Sequence, residues 1–238
     1  MSTVKYYDWS YHQARTRPNK VAVKEVSTGR ETTYGQLEER SCRLASWLQN
    51  KGVKKGDRVA ILIHNCTEVF ELEFACAKIG AIELPLNWRL TKPELEYILN
   101  DSSPEVLIYG SNFADTAKAL TKDCSIKNSL EIDDEDQNNE YEQALKENID
   151  FDVVETTHDD LIMLMYTSGT TGHPKGAMIT HEMQFYNIVN LAGSSRVTDK
   201  TVQLIVLPLF HTGGMNCYAN PILHLSLIHI SEPTRRSM

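Results

Sequence analysis

The sequence contains no uninterrupted apolar run of about 20 residues, the length that a membrane-spanning helix needs. Residues 201–231 carry no Asp, Glu, Lys or Arg, but Pro208, Gly213 and Pro221 interrupt them. Residues 1–16 likewise lack the apolar stretch of a signal peptide. We therefore expect no transmembrane segment and a cytoplasmic location, with a peripheral association with membranes left open.

Paired cysteines and an excess of positive charge are also missing. The five cysteines are scattered and odd in number, without a CxxC pair, which argues against a disulfide framework and against a zinc site. Lys and Arg number 24 against 32 Asp and Glu, so the formal net charge is −8. Because binding to the nucleic-acid backbone depends on Lys and Arg, we expect no nucleic-acid partner. The composition leaves the oligomeric state open.

What the sequence does contain is the composition of a globular protein, with 41% hydrophobic and 24% charged residues among 238. Residues 58–63 form an apolar run typical of a buried parallel strand. Thr33 and Gln36 have capping-box spacing ahead of a helical pattern that stops at Gly52. Strand-like and helix-like segments alternate in this way along the chain. The alternation predicts βαβ units, and hence an α/β fold with mostly parallel sheets flanked by helices.

Seven acidic residues and no basic one occupy residues 131–142. Such a block is typical of a solvated surface segment or connector. Beyond it we expect strands at residues 161–166, 177–180 and 202–207, with a helix over residues 182–191.

Residues 166–176 read YTSGTTGHPKG and directly follow a hydrophobic strand. Glycines let the backbone adopt positive φ and approach a ligand closely, and successive N–H groups can bind an anion. Thr and Ser side chains add hydroxyl donors, and Lys175 adds a positive charge. Because Pro174 precedes this lysine, the segment is not a Walker A loop. For an arbitrary loop of this composition, an ordinary surface turn is the alternative interpretation. The complete sequence of residues 166–176 favours a polyphosphate site instead.

The string TSGTTGxPKG resembles the phosphate loop of the adenylate-forming superfamily of acyl-CoA synthetases. Residues 207–216, LPLFHTGGMN, resemble the acyl-substrate motif of that family and follow in the same order. Residues 81–108 resemble the amino-terminal subdomain of members that activate fatty acids. The resemblance implies the βαβ-rich N-terminal domain of the acyl-CoA synthetase fold in truncated form.

The activity implied by the resemblance is that of an acid–thiol ligase that uses ATP, Mg²⁺ and coenzyme A. A carboxylate attacks the α-phosphorus of ATP to give an acyl-adenylate and pyrophosphate. The thiol of coenzyme A then takes the acyl group and releases AMP. The implied substrate is a carboxylic acid, in the first place a medium- or long-chain fatty acid. Two alternatives stay open: the same fold acting on an aryl or amino acid, and a non-catalytic nucleotide-binding module.

The same resemblance assigns roles to individual residues. The β- and γ-phosphates of ATP would be held by Thr167, Ser168, Gly169, Thr170, Thr171 and Gly172. Thr167 is also the candidate for the magnesium shell, and Lys175 would neutralise the departing pyrophosphate. The acyl and carboxylate pocket would be lined by Phe210, His211 and Gly213. Outside these motifs we interpret His64 as structural and Trp88 as a packing residue.

Several parts that the family possesses have no counterpart in this sequence. They are the adenine-stacking segment, the ribose-binding aspartate, the hinge, and the C-terminal domain with the adenylation lysine. We therefore expect residues 1–225 to be an incomplete N-terminal AMP-binding domain that is inactive in synthesis by itself. Residues 226–238, SLIHISEPTRRSM, resemble the translation of a sequencing-library adapter. We expect them to be an artefactual tail, and a divergent natural terminus is the alternative.

Overall fold

The computed structural model describes residues 8–133, 136, 138–147, 149–167, 172–194, 198, 200–225 and 228–231. The strands within them are β1 (Val21–Glu25), β2 (Glu31–Thr33), β3 (Arg58–Leu62), β4 (Ile82–Pro85), β5 (Val106–Gly110), β6 (Asn128–Ile132), β7 (Leu161–Thr167), β8 (Lys175–Thr180), β9 (Val202–Ile205) and β10 (Ile228–Ser231). The α-helices are α1 (Trp9–Thr16), α2 (Tyr34–Asn50), α3 (Glu68–Ile79), α4 (Lys92–Ser102), α5 (Ala114–Asp123), α6 (Glu140–Ala144), α7 (His181–Ser194) and α8 (Asn220–His224). A short 3₁₀ turn at Ser111–Phe113 precedes α5, and a π-helical turn at Gly213–Ala219 leads into α8.

The strands form two sheets. The larger sheet has the order β6-β5-β3-β4-β7-β8, and the smaller has the order β2-β1-β10-β9. In the larger sheet every neighbouring pair is parallel except β7 with β8. In the smaller sheet β10 lies parallel to both β1 and β9. This architecture confirms the predicted α/β fold with mostly parallel sheets.

The central strands are buried on both faces, as their continuous apolar sequences predict. In β3, Val59 and Ile61 pack into a core that includes α2 and α3. Ala60 and Leu62 alternate with them and pack into a second core that includes α4 and α5. The larger sheet therefore has helices on both faces. No helix in the described ranges is long and apolar enough to cross a membrane.

The N-terminus of α2 has the predicted capping box. The Thr33 hydroxyl accepts a hydrogen bond from the Gln36 backbone N–H at 3.2 Å. In return, the Gln36 side chain accepts one from the Thr33 N–H at 2.8 Å. These two bonds satisfy donors that the first turn of a helix otherwise leaves open.

Strand β10 lies within residues 226–238, which the sequence led us to interpret as an artefactual tail. Its backbone pairs through Ile228 with Val202 and through His229 with Val23. A short segment of strand-forming sequence is sufficient for such pairing, so the artefactual origin of the tail stays a prediction.

A buried ion pair connects α2 to α3 and α6. Arg40 donates from Nε to Glu71 Oε1 and from Nη2 to Glu142 Oε1, each at 2.6 Å. The Tyr141 hydroxyl donates to the second oxygen of Glu71 at 2.7 Å. Because Glu71 is fully buried, removal of its counter-ion would leave a carboxylate without compensation in the core.

We expect Arg40→Met to lower the free energy of unfolding by about 3–5 kcal/mol, because it strands the buried Glu71 carboxylate. The matched control is Lys24→Met, which breaks a half-exposed pair with Glu31 and should cost less than about 1 kcal/mol. Urea unfolding followed by circular dichroism measures both. A loss for Arg40→Met no larger than that of the control would contradict the stabilising role of this ion pair.

Candidate active site

The carboxyl ends of β3, β4, β5 and β7 lie at one edge of the larger sheet, because these strands are parallel. The chain passes from β3 to β4, which lies on one side of β3 in the sheet. It passes from β5, on the other side of β3, outward to β6. Ligands of open α/β sheets bind in the crevice where such connections diverge. His64 follows β3 and Phe113 follows β5, and their rings lie 4.9 Å apart at this crevice.

The phosphate-loop motif connects β7 to the antiparallel β8. Thr167 and Lys175 are directly opposite each other in the register of this hairpin, and both are exposed. Gly172 has φ = 108°, a conformation that side-chain-bearing residues rarely adopt. The predicted phosphate ligands Ser168, Gly169, Thr170 and Thr171 lie outside the described residues. Among the described residues no carboxylate forms a salt bridge with Lys175, whose ammonium group faces solvent at the mouth of the hairpin.

Helix α4 holds both sides of this hairpin. The Tyr166 hydroxyl donates to Asp101 Oδ2 at 2.5 Å. On the other side, the His173 ring stacks on Tyr97 at 4.7 Å with an interplanar angle of 19°. These contacts anchor the chain immediately before and after the loop, so the ends of the loop are fixed relative to the sheet.

A buried amide positions the second motif, residues 207–216. Asn65 follows β3 and donates from Nδ2 to the Leu207 carbonyl at 2.9 Å. Its Oδ1 accepts from the Leu209 N–H, also at 2.9 Å. Because one side chain satisfies both a donor and an acceptor of the motif backbone, it fixes the orientation of the segment that leads to His211.

His211 is exposed, and its ring orientation is set by its own loop. The Gly213 N–H donates to His211 Nδ1 at 3.0 Å. Since Nδ1 accepts this bond, the proton of the neutral imidazole lies on Nε2. The side chain therefore presents an N–H donor to solvent, which suits a carboxylate or phosphate oxygen.

An aromatic cluster lies beside this histidine. Phe210 meets the edge of Trp88 at 6.0 Å, and His64 meets Trp88 at 4.7 Å. The Arg89 guanidinium lies 4.8 Å from the Trp88 ring and 5.9 Å from that of Phe210. An arginine over aromatic faces is a favourable cation–π arrangement. The cluster thus combines apolar surface with one positive charge at the carboxyl edge of β3 and β4.

The side chain of Asn216 connects the two motifs. The Asn216 side chain donates from Nδ2 to Met165 Sδ at 3.6 Å and to Thr212 Oγ1 at 3.3 Å. Met165 precedes Thr167 by two residues on β7, about 7 Å along an extended strand. The phosphate hairpin and the His211 motif are therefore neighbours at one edge of the sheet, as two parts of a single site would be.

A family model described as AMP-binding enzyme matches residues 10–238. The chain belongs to the AMP-binding enzyme family. Among the curated AMP-binding relatives, feruloyl-CoA synthase from Amycolatopsis sp is 37% identical over 215 residues, which make up 90% of this chain and 41% of that protein. Long-chain-fatty-acid–CoA ligase FadD13 from Mycobacterium tuberculosis is 35% identical over 213 residues, which make up 89% of this chain and 42% of that protein. The chain thus spans about two fifths of the length of these CoA ligases.

Solved structures of similar AMP-binding enzymes agree in fold. The inhibitor-bound N-terminal domain of FACL13 from Mycobacterium tuberculosis matches with a TM-score of 0.88 and 32% identity, covering 98% of this chain and 58% of that chain. ATP-bound MatB from Rhodopseudomonas palustris matches with a TM-score of 0.84 and 27% identity, covering 95% of this chain and 45% of that chain. The fold is therefore that of the N-terminal part of these enzymes.

Two residues at this edge of the sheet, Asn65 and Trp88, make contacts that the sequence did not predict. Asn65 was not distinguished by any motif, and Trp88 was interpreted as a packing residue. Packing is what Trp88 does, but its partners are Phe210 of the predicted pocket and Arg89. The signal that points to these residues is their position directly after β3 and β4, at the edge where parallel strands end.

Gly214 gives a test of this geometry. A Cβ added there would lie 2.3 Å from the Pro208 carbonyl oxygen, so Gly214→Ala must displace the backbone of the His211 motif. We expect a loss of about 1–3 kcal/mol in the free energy of unfolding. Gly193→Ala is the control, because a Cβ at that helical position meets nothing within 4 Å and should be neutral or stabilising by up to about 1 kcal/mol. Equal unfolding midpoints for the two variants would show that the Pro208–Gly214 contact is absent in solution.

Proposed function

We propose that this chain is the ATP-binding part of an enzyme that activates a carboxylic acid as its acyl-adenylate and transfers the acyl group to coenzyme A. The observation that carries the proposal is the contact between Asn216 and Met165, which brings the phosphate hairpin beside the His211 motif. The CoA-ligase relatives support the reaction class. A location in the cytoplasm is part of the proposal, because ATP and coenzyme A are available there.

The hairpin suits the polyphosphate of ATP. Lys175 offers a mobile ammonium group at its mouth, and Thr167 offers a hydroxyl directly across the two strands. In the proposed reaction Lys175 stabilises the negative charge that grows on the leaving pyrophosphate, which is the kind of electrostatic assistance that phosphoryl chemistry depends on. Ser168, Gly169, Thr170, Thr171 and Gly172 complete the proposed cradle.

Mg²⁺ would supply charge neutralisation between phosphate oxygens. In the described part of the chain no three His, Cys, Asp or Glu side chains lie together as a metal site requires. Mg²⁺ commonly binds through one or two protein oxygens and the substrate phosphates while it keeps several waters. The exposed Thr167 hydroxyl is the group in this hairpin that fits such a role.

The acid would lie against the His211 motif. His211 presents its Nε2–H donor for the carboxylate, and Phe210 with Trp88 provides apolar surface for the acyl body. Gly213 keeps the ring of His211 in place through its N–H. The chain's own contribution is thus to orient the carboxylate toward the phosphate hairpin, which raises the effective concentration of the reacting groups.

We propose a medium- or long-chain fatty acid as the substrate, since the motif surroundings are apolar and FadD13 is named for long-chain fatty acids. An aryl acid is the second candidate, because one of the similar curated proteins is named for ferulate. Arg89 over the Trp88 and Phe210 rings is compatible with either acid. An amino acid, or a nucleotide-binding module without catalysis, is tested by the experiments below.

We expect Lys175→Ala to weaken the binding of Mg²⁺·ATP to the full-length protein from the same gene by at least about tenfold, because it removes a positive charge from the β- and γ-phosphates. Binding of AMP, which has neither phosphate, should not change. Isothermal titration calorimetry measures both ligands. Lys127→Ala, which removes an exposed lysine paired with Glu105, is the matched surface control. Unchanged ATP affinity in Lys175→Ala would refute the proposed phosphate site.

The 238-residue chain should form no acyl-CoA from ATP, acid and coenzyme A, because the proposed adenylation lysine is not part of it. The full-length protein from the same gene should catalyse acid-dependent exchange of pyrophosphate into ATP. Decanoate, palmitate, ferulate and phenylalanine form the test panel. Fastest exchange with a fatty acid supports the first candidate and fastest exchange with ferulate supports the second. Exchange with no acid in a folded full-length protein would favour the non-catalytic module.

A further inference from the structure

A cavity of about 310 Å³ lies between α1, α3, α7, α8 and the extended segment 153–156. None of its lining residues belongs to the phosphate-loop motif at residues 166–176 or to residues 207–216. Ligand pockets range upward from about 300 Å³, so the space suits a small organic molecule. Its polar lining includes three buried titratable side chains, those of Lys78, Glu73 and His224.

The ammonium group of Lys78, the one cation among the described lining residues, is already used. Lys78 is buried, and its ammonium group donates to Asp8 Oδ2, to Glu38 Oε2 at 2.8 Å and to Ser10 Oγ at 3.3 Å. An ammonium group has three hydrogens, so Lys78 has none left for a ligand. An anionic ligand therefore finds no free cation in the described lining.

The side-chain amides around Glu73 are committed as well. Gln184 Nε2 donates to Glu73 Oε1 at 2.6 Å, and Asn220 Nδ2 donates to the same oxygen at 2.9 Å. The other hydrogen of the Asn220 amide is directed to Asn216 Oδ1 at 3.3 Å. These bonds hold Glu73 between α7 and α8 and satisfy one of its two oxygens.

Glu73 Oε2 and His224 Nε2 have no hydrogen-bond partner in the described structure. Glu73 is 3% exposed and His224 is 8% exposed, and both line the cavity. A buried polar atom without a hydrogen bond destabilises the folded state, and such atoms are rare in native proteins. Asn220 and His224 are four residues apart, which places them on one face of α8. Both open acceptors can thus be reached by one small ligand.

The other lining residues indicate the charge and polarity of such a ligand. Asp8, Glu73 and Glu155 make the lining more acidic than basic, since Lys78 is its one cation among the described residues. The other walls are largely apolar, and they include Trp9, Phe74, Ala77, Val153, Val154 and Ile162. An acidic, acceptor-bearing end and an apolar body match a ligand with a cationic donor and a short hydrocarbon part.

We propose that this cavity is a binding site for a compact primary ammonium compound, whose ammonium group donates to Glu73 Oε2 and His224 Nε2 and whose hydrocarbon part lies against Trp9 and Phe74. Burial raises the pKa of Glu73 to about 7, and a bound cation would favour its ionised form. The site is distinct from the two motifs, because none of its lining residues belongs to residues 166–176 or 207–216.

The test uses hexylammonium, hexanol and hexanoate as matched probes of one chain length. Calorimetry on the 238-residue chain at about pH 8.5, where the amine is protonated, should give hexylammonium an affinity at least about tenfold above that of hexanol, and hexanoate should bind least. The Trp9 ring lies 4.2 Å from His224. A variant that keeps only this tryptophan, with Trp47→Phe and Trp88→Phe, should therefore change its fluorescence on binding.

Glu73→Gln is the decisive variant, because its amide oxygen can still accept the bonds from Gln184 and Asn220 while the charge is lost. We expect it to lower hexylammonium affinity by at least about tenfold, with far-ultraviolet circular dichroism unchanged. Lys175→Ala is the control and should bind hexylammonium as the wild type does. Absence of hexylammonium binding, equal affinity for hexanol, or undiminished binding by folded Glu73→Gln would each overturn the proposal.

Discussion

Parallel pairing of β3 with β4 and β5, and of β4 with β7, is the constraint on which the candidate site depends. Parallel strands must be joined by crossovers, so each strand ends at the same edge and each following loop begins there. For this reason one region is reached by His64 and Asn65 after β3, by Trp88 after β4 and by Thr167 at the end of β7. The chemistry of the site therefore comes from loops that are far apart in sequence, and the sheet gives them a common frame.

Helix α3 buries three acidic side chains, each with a different set of hydrogen-bond partners. Glu68 receives two bonds from Arg30, and burial would raise its pKa, but the guanidinium lowers it. Glu71 is matched by Arg40 and Tyr141, although burial still raises its pKa. Glu73 has only amides on one oxygen, so burial raises its pKa. All three carboxylates connect neighbouring elements. Glu73 differs because it borders a cavity and its Oε2 has no hydrogen-bond partner in the described structure.

Local signals in the sequence predicted much of the fold. The capping box of Thr33 and Gln36 and the continuous apolar strands are decided by residues close in the chain, and the structure confirms them. The acidic block at 131–142 was interpreted as a solvated segment, but Tyr141 is buried and Glu142 pairs with Arg40, 102 residues away. A contact between residues so far apart in the chain cannot be predicted from the local sequence. Lys175 likewise lies within β8, because pairing with β7 extends the strand beyond its apolar part.

The site itself was predicted by motif rather than by physics alone. The phosphate loop and His211 carry recognisable strings, so their positions were expected, although Ser168 through Thr171 lie outside the described residues. Asn65 carries no such string. Its role depends on carbonyl and N–H groups of residues more than 140 positions away, and only the folded chain brings these together.

The hydrogen bonds of Asn65 also affect the order in which parts of the chain can fold. They close loops of 142 and 144 residues, and the chain entropy of such closures has to be overcome before the contacts can form. The local helices and the strands β3 to β5 can assemble while this partner is still being synthesised. We therefore expect the edge that carries the candidate site to acquire its shape later than the sheet around β3, when the residues that bond to Asn65 have been synthesised.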